Sequence, residues 1–385
     1  MDYTGLRRLK GPDRARIITA LIALRAGLRK LPPKQPGNFL LSTWNIREFG
    51  GSKYGGRTLD ALYCIAECIN RFDLVAVQEV RQDLVALKQV VRILGRDWDY
   101  VYTDVTFGSR GNGERLAFLF NRSRVSFTGL AGELVLPSKS ATELVAQVAR
   151  TPFICGFQSG WAKFNLCTVH IYYGTGKKDD PDRLRDIEET AKLLATKAKS
   201  YIDLDHPVDY SPENLVLLGD FNIFGREDAT FQALTKNRFT IPEELLRQKG
   251  SNVAEDKFYD QIAFYRQGSG LKCEAAGVFN FYRYIFNDAR TYKKVMPTTA
   301  KFDSWRTYQM SDHLIMWTEF EVDKTDAYLR NLMREDADAA PGASKRAARA
   351  TTGKISARKA TAKKTAKTKE ATKKAAKRKT AKKAA

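Results

Sequence analysis

A chain of 385 residues with 43% apolar side chains can bury a large core, and no apolar run in it approaches the roughly 18 residues needed to span a membrane. Its formal net charge of +21 sits in the two ends: residues 341–385 carry 17 Lys and Arg against the single acid Glu370, residues 1–37 carry nine against two, and 38–340 is near neutral. Five cysteines, an odd number, argue against a disulfide framework and for small core residues in a reducing compartment, cytoplasmic or nucleoid-associated. In chain order, residues 13–30 read as an amphipathic helix with Asp13 as N-cap and Ile17, Leu21, Leu24 and Leu28 on one face, stopped by Pro32-Pro33. The simplest reading is a helix packed on the domain surface, ahead of a membrane-surface or nucleic-acid helix. Its apolar stretch Ile17 to Leu24 is short and closed by Arg25, and no small-residue cleavage site follows it, so a signal peptide is not expected. The body then alternates: strand 39–45, helix 57–70, strand 73–79, helix 83–94, and strands near 99–103, 115–121 and 125–128. Further strands follow at 152–157, 161–170, 214–219, 259–266 and 313–321, with helices near 181–200, 227–235 and 324–334. Cys64 and Cys68 are four apart on one of these helices, but no further Cys or His stands near them, so they read as core. His206, in Leu204-Asp205-His206-Pro207, reads as a loop residue.

Beyond Glu335 the composition changes to Ala, Lys, Thr and Arg, in blocks such as Thr372-Lys373-Lys374-Ala375-Ala376-Lys377. Such blocks have too little apolar surface to offset the entropy of ordering, so this tail is expected to be disordered in isolation. It resembles the Lys/Ala-rich tails of linker histones. Three segments result: a basic N-terminal helix and linker, 1–37; a body of alternating strands and helices, 38–335; and the basic tail, 336–385.

Within the body, apolar runs repeatedly end on polar groups. Leu215-Val216-Leu217-Leu218 leads into Gly219-Asp220-Phe221-Asn222, and because i and i+2 on an extended segment point the same way, Asp220 and Asn222 face a common pocket. Leu41 to Trp44 delivers Asn45 and Arg47; Leu74 to Val77 delivers Gln78, Glu79 and Arg81; Leu166 to Val169 delivers His170; Ser311-Asp312-His313 precedes Leu314 to Trp317. One polar strand end is ordinary, and an Asx turn or a solvated carboxylate would explain it. The recurrence of the pattern is what points to chemistry.

The set Trp44-Asn45-Ile46-Arg47, Gln78-Glu79-Val80-Arg81, Glu114-Arg115, Thr168-Val169-His170, Gly219-Asp220-Phe221-Asn222, Tyr259-Asp260-Gln261-Ile262 and Ser311-Asp312-His313 resembles the endonuclease/exonuclease/phosphatase superfamily, and within it the deoxyribonuclease I branch. These motifs span residues 38–321. The resemblance implies a four-layer α/β/β/α sandwich of two mixed sheets. It implies Glu79 as principal ligand of a hard divalent cation, Mg²⁺ with Mn²⁺ as the alternative, completed by Asn45 and Asp312. Asp220 would orient or deprotonate a water while Asn222 donates to a phosphate oxygen. Glu114 would partner His170, and Asp260 would partner His313, which of the two imidazoles is the acid being left open. Arg47 and Arg81 would meet the DNA backbone and minor groove. Two departures stand out: secreted nucleases of that branch use disulfides, and where the branch has an aromatic residue shortly before its Glu-Arg motif this chain has Gly111-Asn112-Gly113.

The function that follows is a divalent-metal-dependent phosphodiesterase acting on DNA, held on the polyanion by its basic tail without sequence preference. A phosphoesterase on inositol phosphates, phospholipids or another small ester is the alternative within the same chemistry, since the body is near neutral. A non-catalytic DNA or nucleoid protein acting through its tail is the alternative of another class.

Overall fold

Apolar runs closed by Gly, Asn or Asp form strands, and stretches of helical period form the layers around them. The computed structural model describes residues 1–107, 111–137, 146–202, 214–265 and 271–339, without the side chains of 199–202 and 335–339. The basic tail 341–385 and His206 lie outside the described residues. The chain divides into two units, Met1–Asp323 and Lys324–Ala385. The first runs α1 (Gly11–Leu28), β1 (Asn38–Phe49), α2 (Leu59–Asn70), β2 (Leu74–Arg81), α3 (Val85–Leu94), β3 (Trp98–Tyr102), β4 (Glu114–Asn121), β5 (Ser126–Glu133), β6 (Phe153–Ser159) and β7 (Ala162–His170). It continues through α4 (Pro181–Ile202), β8 (Asn214–Asp220), α5 (Ala229–Thr235), β9 (Phe239–Thr240), α6 (Glu243–Leu246), β10 (Asp260–Tyr265), β11 (Cys273–Phe279), α7 (Ala289–Tyr292), α8 (Phe302–Gln309) and β12 (Ile315–Glu321). The second unit contains α9 (Thr325–Ala339).

The strands form two six-stranded sheets, ordered β11-β12-β1-β2-β4-β3 and β5-β6-β7-β8-β10-β9. They pack face to face through rings from both, with Phe39 and Phe164 centred 4.7 Å apart and Phe118 and Phe157 5.5 Å apart. Trp44, Ile46, Val75 and Val77 share a core with Leu24, Ile65 and Leu87, so α1, α2 and α3 cover the outer face of the first sheet. Ile187, Ala191, Leu194 and Leu234 place α4 and α5 on the second. The architecture is therefore the four-layer α/β/β/α sandwich. No helix among the described residues is long and apolar enough to cross a membrane. All five cysteines are free, and Cys64, Cys68, Cys155 and Cys167 are buried.

The N-terminal helix departs in one detail from its expected start. It begins at Gly11 with Lys10 at the cap position, and Asp13 falls in the first turn, because Pro12 occupies the first turn where its missing N–H costs nothing. Ile17, Leu21, Leu24 and Leu28 are buried, and Arg16 reaches Asp60 of α2 at 2.8 Å.

Topology gathers the polar strand ends. The central pair of each sheet is parallel, β1 with β2 and β7 with β8, aligning Asn45 with Gln78 and His170 with Asp220. Antiparallel neighbours start at the same edge: Glu114 opens β4 opposite Arg81, and Asp260 opens β10 opposite Asp220. His313 lies just before β12, which runs antiparallel to β1. Segments far apart in the chain thus end on one rim of the sandwich.

Candidate active site

Asp220 Oδ2 is the point where the two sheets meet chemically. Asn45 Nδ2 donates to it at 2.9 Å, and the Nε2 atoms of His170 and His313 lie 3.5 and 3.7 Å from it. The other Asp220 oxygen accepts the backbone N–H of Asn222 at 2.9 Å, so the Asp220-Asn222 turn is locked. Gly219 makes this possible: with φ +135°, it runs so close to β7 that an added Cβ would fall 2.2 Å from the Val169 carbonyl oxygen. Asn222 has φ +51°, a conformation Asn tolerates better than most residues, and its side chain donates to Ile171 O at 2.8 Å. One amide hydrogen of Asn222 remains for another acceptor.

Glu79 sits where the β1–β2 and β2–β4 registers both slip, between Val77 and Val80 on its own strand, and has φ +62°. This bulge turns its carboxylate off the strand and toward Asn45, whose Nδ2 donates to Oε1 at 2.9 Å. Glu79 Oε2 accepts the backbone N–H of Glu48 at 2.7 Å, and Glu48 is itself at φ +43°. Non-glycine residues held in this region at several points of one rim mark a constrained site.

Each imidazole has a buried carboxylate behind it. His313 Nδ1 lies 2.8 Å from Asp260 Oδ2, which Ser251 Oγ also donates to at 2.6 Å. Burial works against the charged ring, but the carboxylates of Asp260 and Asp220 outweigh it and hold His313 well above the ordinary imidazole value. Burial of Asp260 pushes its own carboxyl up. His170 Nδ1 lies 3.1 Å from Glu114 Oε2, an ion-pair distance without hydrogen-bond alignment. Burial raises the Glu114 carboxyl, yet His170, Arg150 and Asn112 together bring it down to about 2.

The arginines stand at the rim, already tethered. Arg47 donates to Thr307 Oγ1 at 2.9 Å and lies 3.5 Å from Asp312 Oδ2, while Arg81 donates to Asn112 O at 2.8 Å and pairs with Glu48 at 3.1 Å. Asp312 is the outlier of the expected ligand set: its side chain is 44% exposed and contacts Arg47, while Asn45 and Glu79 contact each other. Its neighbour Ser311 links it to the rest, donating to Asn45 O at 2.6 Å and accepting from Arg47 N at 3.2 Å.

Several supporting residues escaped the sequence pattern. Arg150 Nε donates to Glu114 Oε2 at 2.8 Å, and Asn112 also binds that carboxylate. Arg57 donates to Arg47 O and, at 2.8 Å, to Glu48 O, and its guanidinium lies over Phe49 at 5.3 Å and Tyr308 at 5.5 Å. None of these sits at a strand end, so the signal that exposed the others does not apply. Only Asn112 had a cue, in its two flanking glycines.

Among the described residues, two groups of three metal-competent side chains have ligand atoms within 4.8 Å of one another: Glu79, Glu114 and His170, and Asp220, Asp260 and His313. The donor chemistry beside Glu79 fits a hard cation. Asn45 Oδ1 is a buried acceptor with no hydrogen-bond donor, next to a carboxylate, and that is an oxygen pair a divalent ion would satisfy.

No protein-family model matches the sequence, and neither does any curated protein. Solved structures do match. An endonuclease/exonuclease/phosphatase family protein from Bacteroides thetaiotaomicron aligns over 74% of this chain and 95% of its own at 16% identity, with a TM-score of 0.50. The chain has the endonuclease/exonuclease/phosphatase fold. A mannosyl-6-phosphatase from Bacteroides thetaiotaomicron (16% identity, 73% and 99% covered, TM-score 0.49) and the human Nocturnin catalytic domain with bound sulfate (13%, 75% and 96%, 0.48) are also similar. The rim where Asn45, Glu79, His170, Asp220, Asp260 and His313 converge is thus carried on an endonuclease/exonuclease/phosphatase fold.

Proposed function

We propose that this chain is a phosphoesterase that hydrolyses DNA phosphodiesters by attack of an activated water on phosphorus. The observation that carries the reading is the convergence on Asp220 Oδ2 of one amide and two imidazoles, each imidazole backed by a buried carboxylate. Glu79 and the donor-free Asn45 Oδ1 would hold a divalent cation, Mg²⁺ or Mn²⁺, and Asp312 would join them only by leaving its contact with Arg47. When bound, such an ion supplies charge neutralisation at the phosphoryl oxygens.

The residues do the rest. Asp220 accepts a proton from the attacking water as its oxygen bonds to phosphorus, and the phosphorus–oxygen bond to the departing alkoxide breaks. A protonated imidazole, His170 or His313, gives that alkoxide its proton. Asn222 directs its remaining amide N–H to a non-bridging oxygen, and Arg47 and Arg81 engage the flanking backbone. The tail 341–385 contributes non-specific affinity through counterion release.

The test incubates the protein and its Asp220→Asn variant with supercoiled plasmid in Mg²⁺ or EDTA, and in parallel with inositol phosphates and phospholipid vesicles. Nicking that needs both the ion and Asp220 is the expected result. Asp220-dependent turnover of the small esters without nicking would transfer the reading to a small-ester phosphoesterase, which the near-neutral body 38–340 favours. No turnover of any ester would leave a nucleic-acid-binding protein acting through its tail.

A further inference from the structure

Beside His313 stands a wall of rings that the hydrolytic reading does not use. Tyr259 and His313 are centred 5.5 Å apart, Phe224 and Tyr259 5.5 Å, Tyr173 and Phe224 5.7 Å, and Tyr173 and Tyr259 6.3 Å. Each ring follows or precedes a site residue in sequence: Tyr173 comes after His170, Phe224 after Asn222, and Tyr259 immediately before Asp260. Tyr173 is 45% exposed beside its two aromatic neighbours.

The wall is built and braced. Fully buried Arg183 donates to Tyr173 O at 2.7 Å and to Lys178 O at 2.9 Å, and lays its guanidinium over Phe224 at 4.7 Å. Asp180 accepts from Thr175 N at 2.8 Å and from Arg183 N at 3.1 Å. Gly174, at φ +71°, has to be glycine here, since an added Cβ would fall 2.3 Å from the Asp180 carboxylate. Lys257 Nζ lies 5.7 Å from the Phe224 centroid at the same rim, with Asp256 3.7 Å away as its counter-charge.

We propose that Tyr173, Phe224 and Tyr259 form a stacking subsite for the nucleobase next to the scissile phosphate. A flat ring placed against exposed Tyr173 would gain the face contact that sequence-tolerant single-strand binders use, with Lys257 beside the adjoining phosphate. Arg183 is the positioning residue of this subsite, fixing the Tyr173 loop against Phe224.

The proposal rests on the nucleic-acid reading of the site, and its test separates the two. An oligonucleotide carrying 2-aminopurine beside the scissile phosphate is titrated with the Asp220→Asn variant, which holds it uncut. Stacking predicts quenched fluorescence, retained with Tyr173→Phe and lost with Tyr173→Ala in the same background. In the enzyme with Asp220 intact, replacing that nucleotide by an abasic residue should lower kcat/KM roughly tenfold, and Tyr173→Ala should erase the difference. Quenching that ignores Tyr173, or no quenching, overturns the subsite whatever the cleavage result. Tyr173-dependent quenching without any cleavage by the enzyme keeps the subsite and overturns the hydrolase.

Discussion

His313 Nδ1 lies 2.8 Å from Asp260 Oδ2, and the carboxylates of Asp260 and Asp220, with a smaller contribution from Asp312, lift the imidazole against its own burial. Asp260→Asn removes one of them. The His313 Hε1 resonance should then titrate at distinctly lower pH than in the wild type; an unchanged titration would mean Asp260 does not set the charge of this ring. A raised folded value stabilises the protein fully below the unfolded value of about 6.5, and that contribution fades as pH climbs through the folded value. The stability deficit of Asp260→Asn should therefore be larger at mildly acidic pH than at strongly alkaline pH.

Glu114 carries the opposite sign. Its carboxyl is brought down to about 2 by His170, Arg150 and Asn112, against its burial, so it stabilises the fold above the unfolded value of 4.5 and loses that role as pH falls toward 2. Glu114→Gln should cost about 3 kcal/mol near neutrality, with the gap to wild type closing through the acid range. Denaturant titrations across that range measure it; a gap that stays constant with pH would refute the assignment.

Asn45 Oδ1 and Glu79 are the proposed ion-holding pair. Adding Mg²⁺ after EDTA treatment should raise the thermal midpoint of the wild type, since a ligand that binds only the folded state stabilises it. Glu79→Gln and Asn45→Ala should each abolish the rise while leaving a cooperative transition. A variant that keeps the full rise places the ion elsewhere.

Gly219 admits no side chain. Gly219→Ala sets a Cβ 2.2 Å from Val169 O and should cost roughly 3 kcal/mol and most of the activity, because Asp220 moves with it. Near-wild-type stability in a denaturant melt would show that β7 and β8 can separate there without penalty.

Removal of residues 341–385 takes away 17 basic residues. DNA affinity in a gel-shift titration should fall strongly, with a shallower dependence on salt, while single-turnover cleavage at saturating enzyme stays close to the full-length rate. An unaltered affinity would remove the tail from the function.

Much of the site was legible because its chemistry sits at strand ends, where an apolar run stops and an Asp, Asn, Glu or His begins. Asn45, Glu79, His170 and Asp220 announce themselves that way, His313 stands just ahead of an apolar run, Asp260 came only with the family resemblance, and the sheet topology brings all six to one rim. Arg150, Arg57 and Ser251 did not, because they approach from loops or across the fold and no local period marks them. The edge strand β11 was equally silent: Cys273-Glu274-Ala275-Ala276-Gly277 has little of the β-branched character that signals a strand, and Gly277 is there because Trp317 lies 3.1 Å from where its Cβ would be. The four-residue helices α6 and α7 were missed for want of length, and the eight-residue α8 was missed as well. Asp312 shows the limit of motif reading, since its neighbours fix its place in the chain while a contact with Arg47 decides where its carboxylate goes.

Polar struts cross between the sheets at the level of the rim, among them Asn45 to Asp220 at 2.9 Å and Gln78 Nε2 to Thr168 Oγ1 at 2.9 Å. A hydrogen bond is directional and weakens steeply with a small slide, whereas the apolar burial beneath is non-directional. Warming should therefore silence turnover before the molecule melts, leaving an intact but idle protein that regains its rate on cooling.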